Sequence, residues 1–416
     1  MAVFALISDK IEAVDDGSNK TAKTQAFRND IAGTESLRAF ASRRKARCAM
    51  SWIALRDKIG GVYHPTGLEM QDRRAANIAV PAPKSSPDPN AFLPQGTLMA
   101  EFRYDPAPTR QNLLRFAIRD PWQSSLTLCI DPDGSLNLLQ GQAERSTCVR
   151  LEAGLLATEE TVIATFVWDA PVRKGVLTLR LPDQNHFLMT EIADPIPLCY
   201  RDVQMISQPS QQARISQSLR YLAISDAAEP VGPIAAIGPG AAIETPRGFV
   251  PISQIRLGQT VSTLNRGEMQ VRWVGSQLLP ARGRYAPLVM RHPYYGLRHD
   301  LLIAPEQRLC LKGSKVEYMF GAEEVAASVL HLADGKAITT AAPRLTQKYF
   351  HIVLEEPAVI SVSGAAMESM DPGPILNEPA LLPYSNLQEV PMELLPRATA
   401  SPIPVLRGYE AISLAR

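Results

Sequence analysis

The stretch "PGAAIETPRGFVPISQIRLGQTVST", Pro239 to Thr263, decides how the second half of this chain is read. Two short apolar runs flank Pro246 and Gly248, a pairing that fits a tight hairpin turn. Gly258 suits a left-handed position just ahead of another strand. Further on, "EMQVRWVGSQLL" (Glu268 to Leu279) alternates Met269, Val271 and Trp273 against Gln270, Arg272 and Val274, the period of a strand. The region is expected to be a compact all-β body of short, twisted strands.

Further blocks follow in order: "VRWVGSQLL", "RHDLLIAPEQRLCL" and "YFHIVLEEPAVISVSGAAMESMDPG". Together with the opening "AAIGPG" they resemble the Hint domain, the hedgehog/intein module in its bacterial form, over 236–374. The closing "PVLRGYEA" also resembles the end of such bacterial chains. The resemblance implies a self-cleaving chemistry. An opening cysteine attacks the preceding carbonyl to give a thioester. A histidine in a downstream block protonates the departing amide nitrogen, and an acid or histidine near the last strands assists resolution.

Laid on that pattern residue by residue, the opening cysteine falls on Ala236 and the block histidine on Gln307 in "APEQR". The late Asp-x-His pair falls on Glu355, Glu356 and Pro357. A methyl group has no lone pair, so Ala236 cannot attack. Gln307 can donate a hydrogen bond but cannot transfer a proton near neutral pH, and Pro357 has no ionisable group. Some intein-like domains begin with alanine and rely on an asparagine followed by a downstream nucleophile. Here Asn377 and Asn386 precede Glu378 and Leu387, so that route fails as well.

Residues left as candidates for the old cleft are Thr245, Glu306, Arg308, Glu355 and His351, the last sharing a face with Tyr349 and Val353. A lone histidine on a strand is more often structural than catalytic. His292 and His299 bracket "PYYGLR" without an obvious third ligand, so no metal is expected. Cys310 is expected to pack. Restoring both lost groups, Ala236→Cys with Gln307→His, is expected to revive thiol-induced cleavage beyond the cysteine alone.

Upstream, "TLMAEFRY", "NLLRFAIR", "SSLTLCI", "SLNLLQG", "TVIATFVWD" and "GVLTLRL" read as strands without intervening helices. "DPDG" at Asp131 to Gly134 is a hairpin turn. In "TVIATFVWD", Val162, Ala164, Phe166 and Trp168 share one face. An antiparallel sandwich is expected over 97–204. "FVWDAPVRKGVLTLRL" resembles concanavalin-like jelly rolls that bind or cut glycans, which implies a glycan ligand. Trp122, Asp131, Asp133, Trp168, Asp169 and His186 are the residues available for one. A hydrolase would need two facing carboxylates, and no paired-glutamate strand is visible. Trp168 is expected in the core and the two aspartates in a plain turn.

The 34 prolines mark the seams. "VPAPKSSPDPNAFLPQG" suggests a linker at 80–96, a second linker is expected over 205–235, and 375–416 is expected to be a C-terminal extension. In 1–79, "ESLRAFASRRKARCAMSWIALRDKI" places Leu37, Phe40, Ala41, Cys48, Trp52 and Leu55 along one side at helical spacing. Arg38, Arg43, Lys45, Arg47, Arg56 and Lys58 occupy much of the rest, so a basic helical region is expected.

With 43 basic and 42 acidic side chains, no global field draws the chain to nucleic acid or membrane. The five cysteines show no metal spacing. No cofactor is expected, no transmembrane stretch is visible, and no signal peptide is evident. The protein is expected in the cytoplasm or exported by a signal-peptide-independent route. The leading expectation is a non-enzymatic binding or assembly scaffold with a protein or glycan ligand. An autoprocessing protein with another nucleophile, and a glycan-binding sandwich, stay open.

Overall fold

In the first body, twelve strands build two antiparallel sheets. They are β1 (Trp52–Asp57), β2 (Gly61–Tyr63), β3 (Gln95–Tyr104), β4 (Gln111–Ile118), β5 (Ser124–Ile130), β6 (Leu136–Gln142), β7 (Arg145–Leu151), β8 (Glu160–Asp169), β9 (Lys174–Leu181), β10 (His186–Ala193), β11 (Ala213–Ile215) and β12 (Leu219–Ser225). One sheet runs β10-β9-β8-β3-β12-β1-β2, the other β11-β4-β5-β6-β7. The computed structural model describes residues 52–76, 78, 86–152, 159–232, 236–396 and 403–415, all within one compact unit.

The two sheets face each other across a core that includes Phe102, Phe116, Leu126, Leu138, Phe166, Trp168 and Leu179. Strand alternation explains it: Val162, Ala164, Phe166 and Trp168 on β8 all point inward, as expected. The "DPDG" turn closes with Gly134 at φ 83° and its nitrogen donating to the Asp131 carbonyl at 2.9 Å.

Three expected boundaries move. The expected helix does not extend through Trp52–Asp57, which is strand β1; the rest of its apolar stripe lies outside the described residues. In β1, Ile53 and Ala54 face the sandwich core, while Trp52 and Leu55 face the opposite way into another apolar cluster. A strand buried on both faces loses its alternation and reads as a continuous apolar run. The expected linker over 205–235 instead contains β11 and β12, and β12 lies between β3 and β1 in the seven-stranded sheet. It too is covered on both sides, by Leu222 and Ile224 toward the core and by Tyr221 and Ala223 away from it. The linker expected over 80–96 also ends early, for Leu93 is buried and β3 begins at Gln95.

The second body is also all-antiparallel. Its strands are β13 (Ala242–Thr245), β14 (Gly248–Pro251), β15 (Thr260–Thr263), β16 (Gly267–Pro280), β17 (Leu288–Met290), β18 (Leu301–Ile303), β19 (Arg308–Lys312), β20 (Glu324–Ser328), β21 (Ile338–Thr340), β22 (Thr346–Leu354), β23 (Val359–Val362) and β24 (Ala365–Glu368). The quoted opening stretch folds as the β13–β14 hairpin, with Thr245 opposite Gly248 and Gly248 at φ 105°. Gly258 also takes a left-handed φ of 77°. The long β16 pairs with β22, and a core of Ile243, Val261, Val271, Ile303, Leu309, Ile352 and Ile360 fills the body. The C-terminal segment packs back onto both bodies: Ser385 bridges to Val231, Val405 bridges to Ala326, and Leu381, Leu387 and Ala411 are buried. The protein is mainly β.

Candidate functional site at the junction of the two bodies

The outward face of the seven-stranded sheet is not left in water. Trp52, Leu55, Met99, Ile163, Tyr221 and Ala223 from the sandwich join Ala236, Leu279, Tyr285, Ala304 and Tyr349 from the second body in one buried cluster. Burying that much aromatic and aliphatic surface is the main favourable contribution to the junction. Polar groups fix its register. Trp52 Nε1 donates to the Leu278 carbonyl at 2.8 Å, and Arg282 Nε donates to Asp57 at 2.7 Å. Asp72 accepts from the backbone nitrogens of Leu345 and Thr346, each at 2.8 Å.

Ala236 sits within this junction and is fully buried. Its carbonyl accepts a hydrogen bond from Ala304 N at 3.0 Å, and Ile237 exchanges two backbone hydrogen bonds with Phe350 at 2.9 and 2.8 Å. Gly238 follows with its nitrogen on the Leu302 carbonyl at 2.9 Å; a Cβ there would lie 2.4 Å from that oxygen. The opening residue is therefore held against Ala304 of the "APEQR" block. The methyl group is surrounded by hydrocarbon.

Gln307 is buried one turn further on. Its Nε2 donates to the Glu368 carbonyl at 2.8 Å, and its own carbonyl accepts from Val329 N at 2.9 Å. The amide thus ties the block to β24. Thr245 Oγ1 donates to the Gly248 carbonyl at 2.7 Å and closes the hairpin. His351 is buried on β22 beside Trp273, with ring centroids 6.1 Å apart. Pro357 is buried in the turn after β22, where Glu355 pairs with Arg272 and Glu356 with Arg266. Among these positions, Ala236 and Gln307 are joined through the same short block, whereas Thr245 and Glu355 serve a turn and a surface ion pair.

Glu306 and Arg308, flanking Gln307, line a cleft of about 440 Å³ between the bodies, together with Arg180, Arg284, His331 and Glu368. Arg180 pairs with Glu306, Arg284 Nη2 reaches both oxygens of Asp183 at 2.6 Å, and Arg308 pairs with Glu368 at 3.2 Å. Burial alone would lower the Arg180 pKa, but the facing Glu306 carboxylate outweighs it and holds the guanidinium charged. Burial lowers the His331 pKa, which favours the neutral imidazole. The cleft's serines are engaged: Ser328 Oγ donates to the Pro305 carbonyl at 2.8 Å, and Ser369 Oγ accepts from Ala358 N at 3.2 Å. No nucleophile–base pair stands among the described lining residues. Sequence reasoning missed Arg180, Arg284 and His331; a lone arginine inside "GVLTLRL" was the available signal of a buried charge.

Of the sandwich candidates, Trp168 is in the core with Nε1 donating to the Leu93 carbonyl at 3.0 Å. Asp131 binds Arg110 and Asn137 at 2.6 and 3.1 Å, and Asp133 pairs with Arg150, so both stabilise their turn. Asp169 accepts from Gln95 at 2.7 Å, and His186 is exposed at the start of β10. Trp122 lies beyond the other end of β5 from Asp131, so the set does not converge. His292 and His299 are both exposed, and among the described residues no group of three or more His, Cys, Asp or Glu side chains is placed to hold a metal. Cys310 packs with Ala326, Val359 and Ile403, and burial pushes its thiol pKa up. Among the described residues, no helix is long and apolar enough to cross a membrane.

The second body is thus a set of short antiparallel strands whose opening residue is hydrogen-bonded to the first residue of the "APEQR" block. Residues 236–374 match the family model described as the Hint domain. No curated protein matches the chain. Among solved structures, it is similar to the Ruminococcus gnavus IT-sialidase CBM40 bound to alpha2,3 sialyllactose, at 10% identity over 31% of this chain and 74% of that one, TM-score 0.23. It is similar to the binding domain of Botulinum Neurotoxin DC in complex with SialylT, at 8% identity over 65% and 81%, TM-score 0.24. The LG1-3 region of the laminin alpha2 chain gives 9% identity over 70% and 53%, TM-score 0.25. These scores bear on no individual residue here.

Proposed function

We propose that this Hint-domain protein does not process itself and acts as a non-enzymatic binding or assembly scaffold, its Hint domain serving as the rigid partner of the β-sandwich. The observation that carries this reading is Ala236: the position of the attacking cysteine holds a methyl group, fully buried in the apolar junction. Gln307, where the proton donor belongs, spends its amide on the Glu368 carbonyl. Neither residue supplies the capacity its position would need, and Ala236 lies in a buried cluster that includes Trp52, Met99 and Tyr221 of the sandwich. The sandwich in this reading comprises 52–232 and the Hint domain 236–374, with the C-terminal segment as a brace across both.

The test is the intact mass of the purified chain after prolonged incubation with and without a small thiol, proteases inhibited. A single full-length species in both samples is expected. Fragments meeting between Ala235 and Ala236 would return the protein to the autoprocessing class.

A further inference from the structure

At the opposite end of the sandwich's β5 from the Asp131 turn, three segments meet. Trp122 sits in the loop between β4 and β5, and Phe92 in the segment leading into β3. The turn Ala143–Glu144 joins β6 to β7 and is held to the first loop by Ala143 N on the Gln123 carbonyl at 2.9 Å. The two aromatic rings lie 6.0 Å apart, tilted by 41°. Phe92 is 45% exposed, although most large apolar side chains of this body are sealed in its cores. Arg201 places its guanidinium 4.7 Å from the Trp122 ring centroid and fixes that ring. Around the aromatics, an open pocket of about 510 Å³ is completed by Gln142, Glu144 and Arg145.

We propose that this shelf binds a neutral hexopyranose unit of a glycan. A pyranose offers an apolar C–H face and a ring of hydroxyls, which matches exposed aromatic surface beside polar groups. The local charges argue for a neutral sugar. Each guanidinium faces an aspartate, Arg145 with Asp194 at 3.0 Å and Arg201 with Asp202 at 3.2 Å, and Glu144 adds a further negative charge, so the rim carries no net positive charge to recruit an anionic sugar. Glu144, exposed on the turn, accepts from hydroxyls. Gln142 has already committed its Nε2 to the Pro197 carbonyl at 3.1 Å, which leaves its oxygen as an acceptor. A protein partner fits less well, because two rings ringed by charged groups fall short of the roughly 1,000 Å² that a specific interface buries.

The test uses the full chain and ligand-observed saturation-transfer NMR with calorimetry. The probes are the hexaoses of glucose, mannose, galactose and N-acetylglucosamine, with sialyllactose and a Trp-rich peptide as comparisons. At least one neutral hexaose is expected to bind. Phe92→Ala and Trp122→Ala should each weaken it about tenfold or more, as loss of an anchoring ring does. Glu144→Ala, on an exposed turn, provides a variant that leaves the fold alone and should also weaken binding. The proposal is overturned if no neutral hexaose binds, if only sialyllactose or the peptide binds, or if hexaose binding survives both Phe92→Ala and Glu144→Ala unchanged.

Discussion

Arg180 on β9 and Glu306, two residues ahead of β19, form an ion pair across the junction of the two bodies, their side chains only 4% and 13% exposed. A charge pair so placed is costly to desolvate and more costly to break. Glu306→Leu strands the guanidinium and should cost about 3–5 kcal/mol in chemical denaturation. Arg180→Met combined with Glu306→Leu removes both charges and should recover most of that loss. A double variant as unstable as the sum of its singles would contradict a coupled pair.

Asp57 ties β1 to the Hint domain through Arg282. Burial pushes its carboxyl pKa up, but hydrogen bonds from Arg282, Ile59 and Gly60 outweigh this, and the net shift is down. A carboxylate with a folded pKa below its unfolded value stabilises above that unfolded value and loses the effect as pH falls through the folded one. Asp57→Asn should therefore lower the melting temperature at pH 7 and make little difference near pH 2. An equal loss at both pH values would place the effect in packing instead.

The region Gly96 to Val203, which the strand pattern alone presents as a self-contained sandwich, lacks β1, β2, β11 and β12. Removing β12 exposes the edge of β3 and opens the core beside Phe102. That polypeptide should show no cooperative melt by circular dichroism, whereas residues 52–232 should show one. A cooperative melt of 96–203 would mean the added strands are dispensable.

Much of this was readable because half-buried strands alternate. "SSLTLCI" falls on β5 residue for residue; β8 is buried on both sides, yet Thr161 and Thr165 mark its outer face and leave Val162, Ala164, Phe166 and Trp168 as the inner one. Where a strand is covered on both sides the signal vanishes, and Trp52–Asp57 took on a helical look while "YLAIS" disappeared among Ser, Gln and Pro. Ala236 and Gln307, the positions the resemblance marks, could be named because residue identity needs no geometry. The junction was not, since nothing local in β9 or β12 says what lies across from it. For the same reason Trp122 could be named but not its partner Phe92.

Sealing the junction also changes what repair should achieve. From residue chemistry alone, Ala236→Cys with Gln307→His is expected to revive thiol-induced cleavage. With position 236 fully buried in the cluster that also holds Trp52, Tyr221 and Tyr349, an external thiol should not reach it while the bodies stay joined. The double variant should remain as uncleaved as the single under native conditions, by intact mass. Cleavage of the folded double variant by added thiol would show an open site.

The most direct measurement places a thiol at the buried position itself. In a background with Cys48 and Cys148 changed to Ser, Ala236→Cys should cost about 1–3 kcal/mol for the added volume, yet still fold. Maleimide labelling, read by mass with peptide mapping, should leave the introduced thiol unmodified in the folded protein and modify it fully in denaturant. Rapid labelling at position 236 under native conditions, with the melt intact, would contradict the claim that the old site has become the packed seam between sandwich and Hint domain.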